Sequence, residues 1–345
     1  MTPFPSPRPI SRRLSDYGWA WPRNGHDQLL RAAVLSDRDA ALTSARAWLD
    51  AHDIDGVTLR EHRLLAAVAA RFGRAVGDGG AYPRLIGLQR HLWASSQALL
   101  RESRPMVEAL AAAMPIMLIK GAGRHAAEGG ASKGRFVQDI DVLVRPRDMT
   151  RARSMLMARG WTAAGRTSDG GPGPRAINFL NGRGGDIDLH QFAYHRVNHS
   201  EVDEEALWHR ASRVSFGGIE LLVPSPADRA ALAVGHGSLD AHIHSDWLVD
   251  CAAAIGSPDF RWTDFSDAIE RRNLSVAAAI ALTYLATRLD VDVPERVQRR
   301  VVDIADRQTR IARIEVLLQA KPRQDLNVFA NLLRGLAKLR RRRRR

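Results

Sequence analysis

Along residues 27–112 the apolar positions recur at helical spacing. The stretches HDQLLRAAVL, RDAALTSARAWLDAHD and TLREHRLLAAVAARFG each carry one apolar stripe and predict three amphipathic helices. Thr58 and Glu61 fit a capping box at the start of the third. GDGGAYP (77–83) is a break, and 84–112 predicts one long helix that Pro105 ends or kinks. The period then changes. PIMLIKG (115–121) is a short apolar run closing on glycine, a strand that leads into a turn. FVQDIDVLV (136–144) alternates and predicts a half-buried strand, and PRDMTRARSMLMARGW (146–161) predicts an amphipathic helix closed by Gly160. After the loop SDGGPGPR, residues 176–192 predict a hairpin about a glycine-rich turn, and IELLVPS (219–225) a further strand. Ser225, Pro226 and Asp228 mark a helix start, and helical patterning continues to about 320. The expected fold is α+β. A small mixed-sheet core (114–225) is flanked by an N-terminal helical region (26–113) and a C-terminal one (226–320). A disordered start (1–25), docked if at all through Trp19 and Trp21, and a helix with a basic tail (321–345) complete the chain.

Two strands in this pattern carry charge where a core strand should not. Asp139 and Asp141 leave one face of FVQDIDVLV, while Ile140, Val142 and Val144 leave the other. In DIDLH (186–190), Asp186, Asp188 and His190 share one face and Ile187 and Leu189 the other. Neighbouring carboxylates repel, and burying them unpaired is costly. If the two strands are neighbours with these faces aligned, at least three carboxylates converge, an oxygen-rich set that suits Mg²⁺ or Mn²⁺. A pair of such ions can activate an attacking oxygen and stabilise a leaving oxygen of a phosphoryl group. Exposed strand faces also carry aspartate without any such role; the second acidic strand is what shifts the balance. IKGAGRHAAE (119–128) adds a strand end, glycines at 121 and 123, and a helix start, an arrangement that favours anions, with Lys120 adding charge.

Composition narrows the setting. The chain has 345 residues, 45% hydrophobic and 26% charged, ordinary for a globular protein. No apolar run reaches the roughly 18 residues of a membrane span, the N-terminus lacks the apolar stretch of a signal peptide, and Cys251 is the single cysteine. A cytoplasmic protein without membrane attachment is the expectation. The net charge is +13, but seven cationic residues lie between Lys338 and Arg345, and +6 remains without them. Arginine supplies 47 of the 51 cationic residues, a bias that base composition explains as readily as function. The tail reads as solvated or as a weak electrostatic contact to nucleic acid.

LIKG, then RFVQDIDVLV, then DIDLH together resemble the uncharacterised bacterial branch of the polymerase-beta-like nucleotidyltransferase superfamily, over about 114–192 and more weakly into LLVPSPADRAALAVGHG and DWLVDCAAAIG. The resemblance implies a nucleoside triphosphate substrate, two divalent ions, transfer of a nucleotidyl group to an acceptor, and release of pyrophosphate. It implies Asp139, Asp141 and Asp188 as catalytic metal ligands, with Asp186 the alternative third carboxylate, and Gly121 as the phosphate turn. Lys120-Gly121 replaces the usual Gly-Ser or Gly-Gly, so Lys120 takes the place of a serine contact to phosphate. Arg135, where this branch commonly has arginine, implies a triphosphate contact; a surface ion pair explains it equally well. The acceptor is a small molecule, a protein or RNA.

Two other readings stand beside this one. A noncatalytic nucleotide or nucleic-acid binding module would keep the fold and use the basic charge. A metal-dependent phosphohydrolase would instead use HGSLDAHIHSDWLVD (236–250), with His236, His242, His244 and Asp246 as ligands and with His242, Asp246 and Asp250 on one helix face.

Overall fold

The computed structural model describes residues 17–77, 79–129, 134–164, 175–195, 201–240 and 245–343. The chain opens with helices α1 (Asn24–Val34), α2 (Arg38–Ala51), α3 (Leu59–Phe72) and α4 (Ala81–Ala113). The N-termini of α2 and α3 are held by their own sequence. Asp37 accepts hydrogen bonds from the backbone N–H groups of Asp39 and Ala40 at 2.9 and 3.0 Å, and Thr58 with Glu61 completes the capping box of α3. Residues 17–25, part of the segment expected to be disordered, are folded: Tyr17 donates to Asp306 at 2.9 Å, and Trp21 meets the Tyr284 ring edge-on at 5.7 Å. Pro105 neither ends nor splits α4. Leu99, Leu100, Met106, Val107 and Leu110 are buried on one stripe, and that packing outweighs the roughly 3 kcal/mol an interior proline costs.

The sheet follows. Its strands are β1 (Ile116–Leu118), β2 (Ile140–Val144), β3 (Thr162–Ala163), β4 (Ala176–Leu180), β5 (Asp186–His190), β6 (Ser212–Phe216) and β7 (Ile219–Val223), in spatial order β3-β4-β5-β2-β1-β7-β6. Helix α5 (Lys120–Ala127) follows β1, α6 (Met149–Ala158) follows β2, and α7 (Glu201–His209) precedes β6. β2 runs parallel to β5, and β1 parallel to β7; the remaining pairs are antiparallel. The sheet is therefore mixed, as expected. β3, α7 and β6 were not expected; β6 pairs with β7 through a two-residue turn at Gly217 and Gly218, whose φ values of +61° and +87° suit glycine.

Helices α8 (Pro226–Asp240), α9 (Asp246–Ile255), α10 (Trp262–Arg271), α11 (Ser275–Arg288), α12 (Glu295–Arg307), α13 (Arg310–Ala320) and α14 (Val328–Arg343) complete the chain. The sheet has a core on each face. Ile140, Val142 and Val144 of β2 and Ile187 and Leu189 of β5 pack with α4 and α6. Met117, Ile119 and Leu143 point the other way, into the larger core made by the N- and C-terminal helices. By strand alternation, Asp141 and Asp188 face this second layer. No helix among the described residues is long and apolar enough to cross a membrane.

Candidate active site

The parallel pairing of β2 with β5 puts Asp141 beside Asp188 and Leu143 beside His190. Asp141, Asp188 and His190 thus project from neighbouring positions of one sheet face, and one ligand-type atom from each lies within 4.8 Å of the others. His190 Nε2 lies 2.9 Å from Asp141 Oδ1 and 2.8 Å from Asp188 Oδ2. With carboxylate oxygens on both sides, this nitrogen carries its proton and donates. Its partner Nδ1 is buried without a hydrogen bond.

Lys120 stands over this cluster. It is the first residue of α5 and sits in the left-handed region at φ +51°, unusual for a side chain with a Cβ. Its ammonium pairs with Asp141 Oδ1 and lies 3.4 Å from His190 Nε2 and 4.0 Å from Asp188 Oδ2. Gly123, one turn on, cannot carry a side chain, because a Cβ there would lie 2.5 Å from the carbonyl oxygen of Leu118. At Gly121 a Cβ would come within 3.3 Å of Arg135 Nη2.

Electrostatics separate the acids. Burial alone would raise Asp141, but the Lys120 charge and the hydrogen bond from His190 hold it well below the usual carboxylate range. Asp188 is likewise lowered against its burial, by the hydrogen bond and charge of His190 and by Lys120. Asp139 goes the other way. It lies one residue before β2, half-buried, and is not part of the Asp141–Asp188–His190 group. Burial and the neighbouring Asp141 carboxylate push it up to about 6, with Asp188 and Asp186 adding and Lys120 opposing. Asp186 is raised by its own burial, and the Asn178 amide donates to its carboxylate.

A cleft of about 370 Å³ opens beside Lys120, Asp139 and Asp141, within the roughly 300–1,000 Å³ range of small-molecule sites. Its apolar lining includes Phe136, Leu232 and Trp247; its cationic lining includes Arg63, Arg124, Arg135 and Arg229. Three of those arginines are already paired. Arg135 donates to Asp250 at 2.9 and 2.8 Å and to Asp246 at 2.9 Å; Arg63 donates to Asp246 at 2.8 Å and Arg124 to Asp250 at 2.7 Å. Arg135 is therefore in a buried ion network, and the surface ion pair considered from sequence is not what forms. Arg229 donates to Ser257 at 3.2 Å, and its Nε has no hydrogen-bond partner.

The described part of the rival cluster is divided between two helices. α8 runs to Asp240 and α9 from Asp246, so Asp246 and Asp250 belong to a different helix from His236. Both carboxylates are taken up by arginines. His236 lines the cleft, its imidazole held well below the ordinary range by burial and by the Lys120 charge. His242 and His244 lie outside the described residues.

The carboxylates fit a divalent cation: Asp141 and Asp188 converge, His190 donates a hydrogen bond to each, and an ammonium already sits among them as a positive stand-in. Sequence reasoning placed His190 on the acidic face without giving it a role; its direct approach to both carboxylates depends on the register of two strands. It missed Arg63, Arg124 and Arg229, which stand on three separate helices.

Residues 58–290 match the sequence model of a family described as an uncharacterised nucleotidyltransferase. No curated protein matches the chain.

Proposed function

The chain belongs to the uncharacterised nucleotidyltransferase family, and from that premise we propose that it moves a nucleoside monophosphate from a nucleoside triphosphate to an acceptor hydroxyl. The observation that carries this reading is the parallel register of Asp141 with Asp188, which sets Asp188 and His190 against Asp141, itself part of the lining of an arginine-rich cleft. We place the fold in the polymerase-beta-like superfamily and the protein in the bacterial cytoplasm.

Asp139, Asp141 and Asp188 would hold Mg²⁺ or Mn²⁺, which when bound neutralises phosphate charge and favours attack at phosphorus. The raised proton affinity of Asp139 comes from burial first and from the neighbouring Asp141 carboxylate second, and a bound cation would offset both. Lys120 and Arg229 receive the triphosphate, Gly121 lets the backbone come close to it, and Arg135 frames the site through Asp246 and Asp250. The apolar wall at Phe136 and Trp247 covers the base. The acceptor oxygen forms its bond to the α-phosphorus as the bond to the pyrophosphate oxygen breaks. The hydroxyl proton goes to Asp188, which His190 orients at 2.8 Å. The acceptor class, whether small molecule, protein or RNA, is decided outside these motifs.

The test is to incubate the protein with each labelled nucleoside triphosphate, Mg²⁺ or Mn²⁺, and fractionated cell extract, following label transfer and pyrophosphate. Asp141→Asn should lose both nucleotide binding and pyrophosphate release. Asp188→Asn should bind within a few-fold of wild type and turn over about 10²-fold more slowly, the low end of what one acid–base group supplies. Tight nucleotide binding with no pyrophosphate from any fraction would favour the noncatalytic module instead.

A further inference from the structure

We propose that Lys120 is an internal cation that fills the acidic site until a divalent ion displaces it, and that only then is its ammonium released toward the triphosphate. This rests on the nucleotidyltransferase reading above, and adds an order of events to it.

Three observations lead here. The Lys120 ammonium is placed among the three groups with ligand atoms, paired with Asp141 and within 4.0 Å of Asp188 and 3.4 Å of His190. A divalent ion coordinated by the same oxygens would contact both carboxylates, so ammonium and ion compete for one space. Second, Asp141 is almost fully buried and Lys120 mostly so. A buried carboxylate left without a counter-charge is strongly disfavoured, so the site needs a cation at all times. Third, the backbone at Lys120 is held in the left-handed region, a conformation that surrounding structure must enforce, and the ammonium reaches back over the sheet to Asp141. The long, flexible lysine stem can then swing from the carboxylates to the adjoining cleft, which Lys120 also lines. Metal therefore binds before lysine is free to meet phosphate, and the empty enzyme keeps its acids neutralised.

The probe is Mn²⁺ alone, without nucleotide, titrated into the full chain and followed by the loss of the free-ion electron paramagnetic resonance signal. Lys120→Met removes the competing charge, and Lys120→Gly does so while also relieving the positive φ. Both variants should bind Mn²⁺ about tenfold or more tightly than wild type, within the usual range of coupling between two sites. In wild type, Mn²⁺ should raise the rate at which Lys120 is acylated by an amine-reactive ester, read by peptide mass spectrometry, at least several-fold. Equal or weaker Mn²⁺ binding in both variants, or acylation of Lys120 that Mn²⁺ leaves unchanged or slows, overturns the displacement. Asp188→Asn separates the two levels. If it binds Mn²⁺ as wild type does, the metal site itself is misplaced and the reading beneath fails with it. If it loses Mn²⁺ while the lysine variants gain nothing, the site stands and only the displacement falls.

Discussion

Replacing Asp139 with asparagine should stabilise the metal-free protein, and by an amount that depends on pH. Asp139 is pushed up to about 6 by burial and by the Asp141 carboxylate, against an ordinary value of 3.8. A carboxyl whose folded pKa is raised contributes its full stability below the unfolded value and loses it as pH rises through the folded one. The ionised side chain then costs the fold about 1 kcal/mol at pH 4.5 and about 3 kcal/mol at pH 7.5, taking 1.36 kcal/mol per pKa unit. Asparagine keeps the shape and never ionises. The gain of Asp139→Asn over wild type should therefore widen by about 2 kcal/mol between those pH values, roughly 2–4 °C in Tm for a chain of this size. Thermal unfolding in the presence of a chelator, with both proteins at both pH values, measures it, and comparing at equal pH cancels every other titrating group. Adding Mn²⁺ should shrink the difference at pH 7.5, because the ion relieves the same repulsion. A gain that is equal at both pH values, or a loss at pH 7.5, would refute the electrostatic account of Asp139.

Three further outcomes follow from other parts of the molecule. Arg135→Met should cost about 3 kcal/mol or more by chemical denaturation, since it leaves Asp246 and Asp250 each short of a buried partner; an unchanged midpoint would mean that the network is not holding α9 in place. Gly123→Ala should lower Tm measurably and weaken nucleotide binding, because the new methyl group meets the Leu118 carbonyl oxygen 2.5 Å away and α5 must shift; normal stability with normal binding would show that the helix relaxes freely. Deleting residues 338–345 should leave nucleotide affinity unchanged by calorimetry, and any loss of binding to RNA should steepen with salt if the tail acts electrostatically.

Local pattern was enough to find the acidic strands, because alternation of aspartate with Ile, Val and Leu fixes which face each side chain leaves. It could not show that β2 and β5 are neighbours. A parallel pair needs a long crossover, and here β3 and β4 intervene in sequence, so the register of Asp141 with Asp188 is a property of the whole sheet. Asp139 was legible as a residue, but not as one standing just outside the strand with a different proton affinity. Arg63, Arg124 and Arg229 had no local signature in a chain with 47 arginines; only packing brings them to one cleft. In the 236–250 stretch, i, i+4 counting does put Asp246 and Asp250 on one helix, but it could not show that Arg63, Arg124 and Arg135 take up both carboxylates. β6 was missed since only Val214 and Phe216 of its five residues are apolar, and its partner strand supplies the rest of the signal.

The order of the sheet has a consequence for how copies of this chain meet. Among the described strands, the two outermost are the ones with a row of backbone N–H and C=O groups not paired to another strand. One of them, β3, is two residues long. The other, β6, is five residues long and mostly exposed, with Arg213 among its outward positions. A second chain adding a strand at either margin would gain few hydrogen bonds, or would have to lie along a charged, short rim. The longest run of exposed large apolar side chains among the described residues lies elsewhere, along α14 at Val328, Phe329, Leu332 and Leu336. Crowding this protein therefore brings helices together before it can zip sheets into fibres, and clumping at high concentration should yield to mild detergent rather than grow as ordered filaments.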